Sequence, residues 1–204
     1  MFQLNEMQND ALKELFNLGV GRAARSLSLI VKDEVELSTP NISLVRPAEV
    51  AAALLGSEFR QLSMVTIDFS GPFDAEAILL FPERNALAIV SHMLDPQMSP
   101  EELSEFEQEA MCEIGNIILN ACISSLADEF GVEFQGGLPV HYFSDTHSLP
   151  LYGSGEEQVV LLLQIHLTMR QERIQGHLIF LLSVSSLTAL LDCVDAYLAR
   201  FGLV

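Results

Sequence analysis

The sequence predicts an α+β protein with pseudo-two-fold duplication: a largely antiparallel sheet with two long helices packed on it. Three observations predict it. Displacing the chain by 99 residues lays Glu14 on Glu113, Asn17 on Asn116 and Pro40 on Pro139. From average composition that triple match has odds of about one in ten thousand at one offset, and about one in a hundred over all offsets. The order of elements recurs too, each half reading helix, three extended runs, helix. Finally, 50% of the 204 residues are hydrophobic, enough for a large core. We therefore expect one domain, residues 1–204, made of two internal repeats covering approximately 1–99 and 100–204.

Each element has its own justification. The first long helix is "DALKELFNLGVGRAARSLSLI", residues 10–30. At about 100° per residue, Asp10, Glu14, Asn17 and Gly21 fall in one narrow arc. Leu12, Leu15, Phe16, Ala23, Leu27 and Ile30 form the opposite, core-facing side. An extended run, "EVELSTPNISLV", and a short helix, "PAEVAAALLG", come next. Two β-type runs, "LSMVTIDF" and "AEAILLF", then flank a turn before the amphipathic helix "ERNALAIVSHML". The seam "DPQMSPEELSEFE" reads as a linker and a helix start, with Ser99 as N-cap before Pro100. In the second long helix, "EAMCEIGNIILNACISSLADEF", Glu109, Glu113, Asn116 and Asn120 share the polar arc, and Ile114, Ile118, Cys122 and Leu126 oppose it. "VEFQGGLPVHYFS", "QVVLLLQIHL", "RIQGHLIFLL" and a closing helix, "SSLTALLDCVDAYLARF", complete the second half. Pro40 and Pro139 lie inside extended runs, where a missing N–H marks an edge or a bulge.

Composition narrows the function. A formal charge of −18 repels phosphate backbones and anionic membranes, so neither nucleic acid nor membrane insertion is expected. The acidity suits a partner with a basic patch or a lysine, or it simply keeps an apolar-rich chain in solution. The apolar run from Leu178 to Leu191 is too short and too interrupted by Ser and Thr to span a bilayer. The first ten residues carry no secretion signal, and Cys112, Cys122 and Cys193 form no CxxC pair, so buried thiols in the cytoplasm are expected.

The polar stripe is the candidate site. A charged outer helix face is ordinarily just solvated. Three details point further: Asn is a poor helix former, the carboxamide recurs at one spacing from a glutamate in both halves, and Leu18, Val20 and Ile117 make its surroundings apolar. A carboxamide takes no proton at neutral pH, but it orients a water by accepting or donating. A glutamate anchors a cation, worth about 1 kcal/mol in water and about 4 in a shielded interface. Neither is a complete active site, so the missing parts would come from a partner.

At these residues the chain resembles the CheC/CheX/FliY family of chemotaxis phosphatases. The family motif is Asp or Ser, three residues, Glu, two residues, Asn, twenty-two residues, Pro. Asp10, Glu14, Asn17 and Pro40 match it in full; Glu113, Asn116 and Pro139 match it again, with Glu109 at the first position. The length and the two sites per chain are most similar to CheC. The resemblance implies a phosphatase acting on the aspartyl phosphate of a CheY-like response regulator. Asn17 and Asn116 would position water, and Glu14 and Glu113 would pair with the receiver's lysine. No cofactor of the chain's own is implied, because Mg2+ would arrive with the receiver. It also implies a CheD contact through the closing helix, where Asp192 and Asp195 sit among apolar residues. The alternative is a non-catalytic adaptor or scaffold of the chemotaxis or flagellar switch system, similar to the middle domain of switch proteins. Such an adaptor has no need of matched Glu and Asn in both halves.

Other signals are weaker. "GVGRAA" matches a dinucleotide fingerprint, but it lies in mid-helix with no strand before it, so Gly19 is read as a close-packing position. "GSG" at 153–155 reads as a turn, and no GxSxG elbow is present. His166 and His177 are expected to face each other across the last hairpin, with no third metal ligand evident; His141 and His147 are expected at a polar surface.

Overall fold

The computed structural model describes residues 3–54, 61–94, 98–145, 157–169 and 172–203. The first helix, α1 (Glu6–Val31), starts at a capping box. The Asn5 side chain accepts from the Gln8 N–H, and the Gln8 side chain accepts from the Asn5 N–H. Such a cap contributes about 1 kcal/mol. Leu12, Leu15, Phe16, Val20, Ala23 and Leu27 are buried along one side, each large side chain contributing roughly 1.5–3 kcal/mol. The second long helix, α4 (Pro100–Phe130), starts at Ser99 with its own capping box to Glu102 and Pro100 in the first turn, and stops at Gly131 with φ +71°. The guanidinium of Arg200 donates to the carbonyls of Glu129 and Phe130, satisfying acceptors at the C-terminus of α4. By length and composition alone α4 would pass for a membrane span, but it is a core helix here, with most of its apolar stretch buried in the fold.

Among the described residues seven strands form one sheet: β1 (Val35–Val45), β2 (Gln61–Ser70), β3 (Ala75–Pro82), β4 (Gln135–Gly136), β5 (Val140–Asp145), β6 (Gln158–Met169) and β7 (Glu172–Ser183). The order is β1-β6-β7-β3-β2, with β4 and β5 both along the outer side of β2. Every pairing is antiparallel. The halves exchange their first strands, since β1 pairs β6 and β5 pairs β2, while β3 meets β7 at the centre with Ile78 opposite Ile179.

The long helices cover one face of the sheet together with α3 (Glu83–Met93) and α5 (Val184–Ala199). Phe16 on α1 stacks near Phe180 on β7 at 5.1 Å. The α1–α4 contact is close because a Cβ at Gly19 would lie 2.7 Å from the Cys122 Cα, which bears out the packing role read for Gly19. On the other face, Val50 of α2 (Pro47–Leu54) packs in a smaller apolar cluster with Met64, Ile78, Leu80, Val160 and Ile179.

Several expectations need correcting. The second proline-containing run is two strands, β4 and β5, with Pro139 in the break between them. Ile30 is exposed, and Leu27 and Val31 hold the last turn of α1 in the core instead. Of the thiols only Cys122 is buried, which pushes it up to about 12; Cys112 and Cys193 are half-buried. His166 and His177 are not opposite each other: His177 faces Gln164, and His166 faces Gln175 and contacts Arg173. Burial, and then neighbouring His166, hold His177 down to about 4. His141 is buried instead of superficial, its Nε2 2.8 Å from the Ser63 hydroxyl. His147 and the turn at 153–155 lie outside the described residues.

Candidate functional site

Exposure along the two long helices separates the polar arc from the core side. Asp10 and Glu14 on α1 are exposed and Asn17 is half-buried. On α4, Glu109 and Glu113 are exposed, and Asn116 and Asn120 are half-buried. Neither Glu14 nor Glu113 joins an ion pair among the described residues. Each carboxylate is therefore available to a cation from outside.

The carboxamides are held, and in different ways. The Asn17 Oδ1 accepts from the Thr39 N–H at 3.0 Å and from the Thr39 hydroxyl at 2.8 Å. Thr39 is 1% exposed on β1, where Thr39 and Pro40 together oppose one residue of β6. Pro40 thus marks both a sheet edge and a bulge, as its missing N–H requires, and the bulge turns the Thr39 N–H from the ladder toward α1. On α4, the Asn120 Nδ2 donates to the Asn116 carbonyl and to the Asn116 Oδ1, both at 2.8 Å.

Sequence reasoning missed Thr39. A signal was present: it stands next to a proline that breaks a ladder, where a neighbouring N–H is left to find another acceptor. Also missed was a buried polar cluster behind α4. Ser63 and Glu107 are fully buried beside His141. The Glu107 carboxyl is raised by burial and by Glu83, against a lowering by the Ser63 hydroxyl, and its Oε1 has no partner among the described residues. The Cys112 thiol, on the residue before Glu113, reaches the Pro139 carbonyl at 3.9 Å.

An open cavity of about 750 Å³ lies against Asp68, Asp74, Glu76, Gly136 and Ser183, and none of Glu14, Asn17, Glu113 and Asn116 lines it. Among the described residues no group of three His, Cys, Asp or Glu could hold a metal. This arrangement can grip a cation and orient a small polar molecule.

Comparison with known proteins agrees. The family model for chemotaxis phosphatase CheX matches residues 63–163, a span that includes Glu113, Asn116 and Pro139 but not the α1 pair. CheY-P phosphatase CheC of Bacillus subtilis is 20% identical over 96% of this chain and 97% of its own length. Flagellar motor switch phosphatase FliY of the same organism is 22% identical over 62% of this chain, which spans a third of FliY. In fold, the chain is similar to Thermotoga maritima FliY (TM-score 0.77, 16% identity, 95% of this chain and 98% of that one). It is also similar to the CheX–CheY–BeF3–Mg complex of Borrelia burgdorferi (TM-score 0.51, 18% identity, 83% and 97%). The FliM middle domain of H. pylori shares the fold as well (TM-score 0.65, 11% identity, 93% and 99%). From full-length similarity to CheC, the CheX match and the shared fold, the chain belongs to the CheC/CheX/FliY family of chemotaxis phosphatases.

Proposed function

We propose that this chain hydrolyses the aspartyl phosphate of a CheY-like receiver, through Glu14 and Asn17 on α1 and Glu113 and Asn116 on α4. The observation that carries the reading is the recurrence, on two long helices, of an unpaired exposed carboxylate one turn from a pinned carboxamide. Each glutamate pairs with the receiver's lysine, and each asparagine holds a water in line with phosphorus. Water attacks, the P–O bond to the aspartate breaks, and aspartate and inorganic phosphate leave. The asparagine moves no proton; its work is positioning. The divalent ion belongs to the receiver, and with the receiver's lysine it offsets locally the repulsion from a chain of charge −18.

Adaptor function is the competing reading, and the likeness to the FliM middle domain speaks only for a shared fold. An adaptor binds a receiver without changing its phosphate. The test is loss of phosphate from a phosphorylated CheY-like receiver in magnesium, with and without the purified chain. Acceleration at substoichiometric chain supports the phosphatase; binding with an unchanged rate supports the adaptor.

A further inference from the structure

We infer that Thr39 and Asn120 are positioning residues that fix which atoms of Asn17 and Asn116 meet the phosphoryl centre, and that they leave the two sites chemically unequal. The inference deepens the phosphatase reading and rests on it.

The amide orientations follow from chemistry. A backbone N–H can only donate, so the Asn17 atom facing the Thr39 N–H is Oδ1. The Thr39 hydroxyl then takes the second lone pair of that oxygen. Asn17 has no acceptor left to offer, and presents the two N–H donors of its Nδ2. On α4 a carbonyl can only accept, so the Asn120 atom on the Asn116 carbonyl is Nδ2. The Asn116 atom that the same Nδ2 touches is therefore Oδ1. Among the described residues that oxygen has one bond, and one lone pair remains.

Each half lacks the other's device. The position matching Thr39 is Leu138, which has no hydroxyl and is 85% exposed; the position matching Asn120 is Gly21, which has no side chain. A water directing one lone pair at phosphorus can use its other lone pair to accept from an amide N–H. The α1 site holds water by donation alone. The α4 site can also accept a hydrogen bond from that water, through the free lone pair of Asn116.

The test isolates each site. Asn116→Ala leaves the α1 site and Asn17→Ala leaves the α4 site, both assayed on a phosphorylated CheY-like receiver with magnesium. In the Asn116→Ala chain, Thr39→Val should lower kcat about fivefold with KM changed by less than about twofold, and Thr39→Ser should restore kcat. In the Asn17→Ala chain, Asn120→Ala should lower kcat about tenfold, because it removes the one bond that the described residues make to the Asn116 Oδ1. An unchanged kcat in Thr39→Val, or a Thr39→Ser chain no better than Thr39→Val at equal melting temperature, overturns the inference for α1. An unchanged kcat in Asn120→Ala overturns it for α4. An unmodified chain that leaves the rate of phosphate loss unchanged overturns the phosphatase reading itself; acceleration that survives in Asn17→Ala/Asn116→Ala overturns the assignment of these two amides, and this inference with it.

Discussion

The α1 pair and the α4 pair carry the same Glu and Asn at the same spacing, yet the residues around them differ position by position. Thr39 in the first half stands where the second has Leu138, Gly21 where it has Asn120, and Ile42 where it has His141. The edge strands differ as well: β1 runs unbroken over 11 residues with a bulge, whereas β4 and β5 are separated at Pro139. The lesson is that a short motif specifies what a helix presents and leaves open how it is held. Support can diverge between halves because an amide oxygen accepts equally well from a strand hydroxyl or from a carboxamide one turn along its own helix.

The largest way to break the comparison is to reverse both anchors. Glu14→Lys with Glu113→Lys should raise KM for a phosphorylated receiver at least about tenfold, with little change in kcat, since a lost attraction becomes a repulsion. Either reversal alone should leave one working site. Steady-state kinetics against receiver concentration checks this, and an unaltered KM in the double reversal removes the anchoring role.

Acid should separate the two sites. Burial holds His141 below the ordinary imidazole value of 6.5, so the unfolded chain binds more protons there than the folded one. The stabilisation from neutral His141 is complete above 6.5 and is lost as pH falls through its depressed value. Glu107 works in the opposite sense: its raised carboxyl makes burial costly at higher pH, and acidification relieves that cost. Ser63 and Cys112 adjoin His141, Glu107 interacts with Ser63, and Cys112 precedes Glu113 on α4, whereas the first half has Ile42 in the place of His141. Between pH 7 and pH 5, the Asn17→Ala chain should therefore lose about two- to threefold more activity than the Asn116→Ala chain, and Glu107→Gln should steepen the loss. Parallel pH profiles would contradict this account of the α4 site.

The smallest expected effect sharpens the comparison. Nothing lies within 4 Å of a Cβ built at Gly21, so there is room there for a side chain to start. Gly21→Asn should recover about half of the activity lost in Thr39→Val, because it supplies Asn17 with the partner that Asn120 gives Asn116.

The elements were legible because they are written locally. The polar arc opposite an apolar side marked α1 and α4, apolar β-type runs around turns marked the strands, and Ser99 before Pro100 announced a helix start that the structure keeps. The exposed stripe of Asp10, Glu14, Glu109 and Glu113 was readable for the same reason, since one turn of helix decides it. Exchange of edge strands between halves was not readable, because β1 satisfies its alternation against either hairpin and only long-range packing chooses β6. Support for the site was hidden by the same distance. Thr39 lies 22 residues from Asn17, and Ser63 lies 78 from His141. His141 read as surface because a lone histidine in a loop-rich stretch shows nothing of the hydroxyl that waits for it across the sheet.

The most direct measurement is single-turnover phosphate release from a phosphorylated receiver saturated with the Asn17→Ala/Asn116→Ala chain, with complex formation followed in parallel. The account predicts a complex of nearly unchanged affinity in which phosphate leaves at the receiver's own unassisted rate, a loss on the order of a hundredfold from the unmodified chain. Phosphate released as fast as with the unmodified chain would contradict it, because the water would then be held by something other than these two amides.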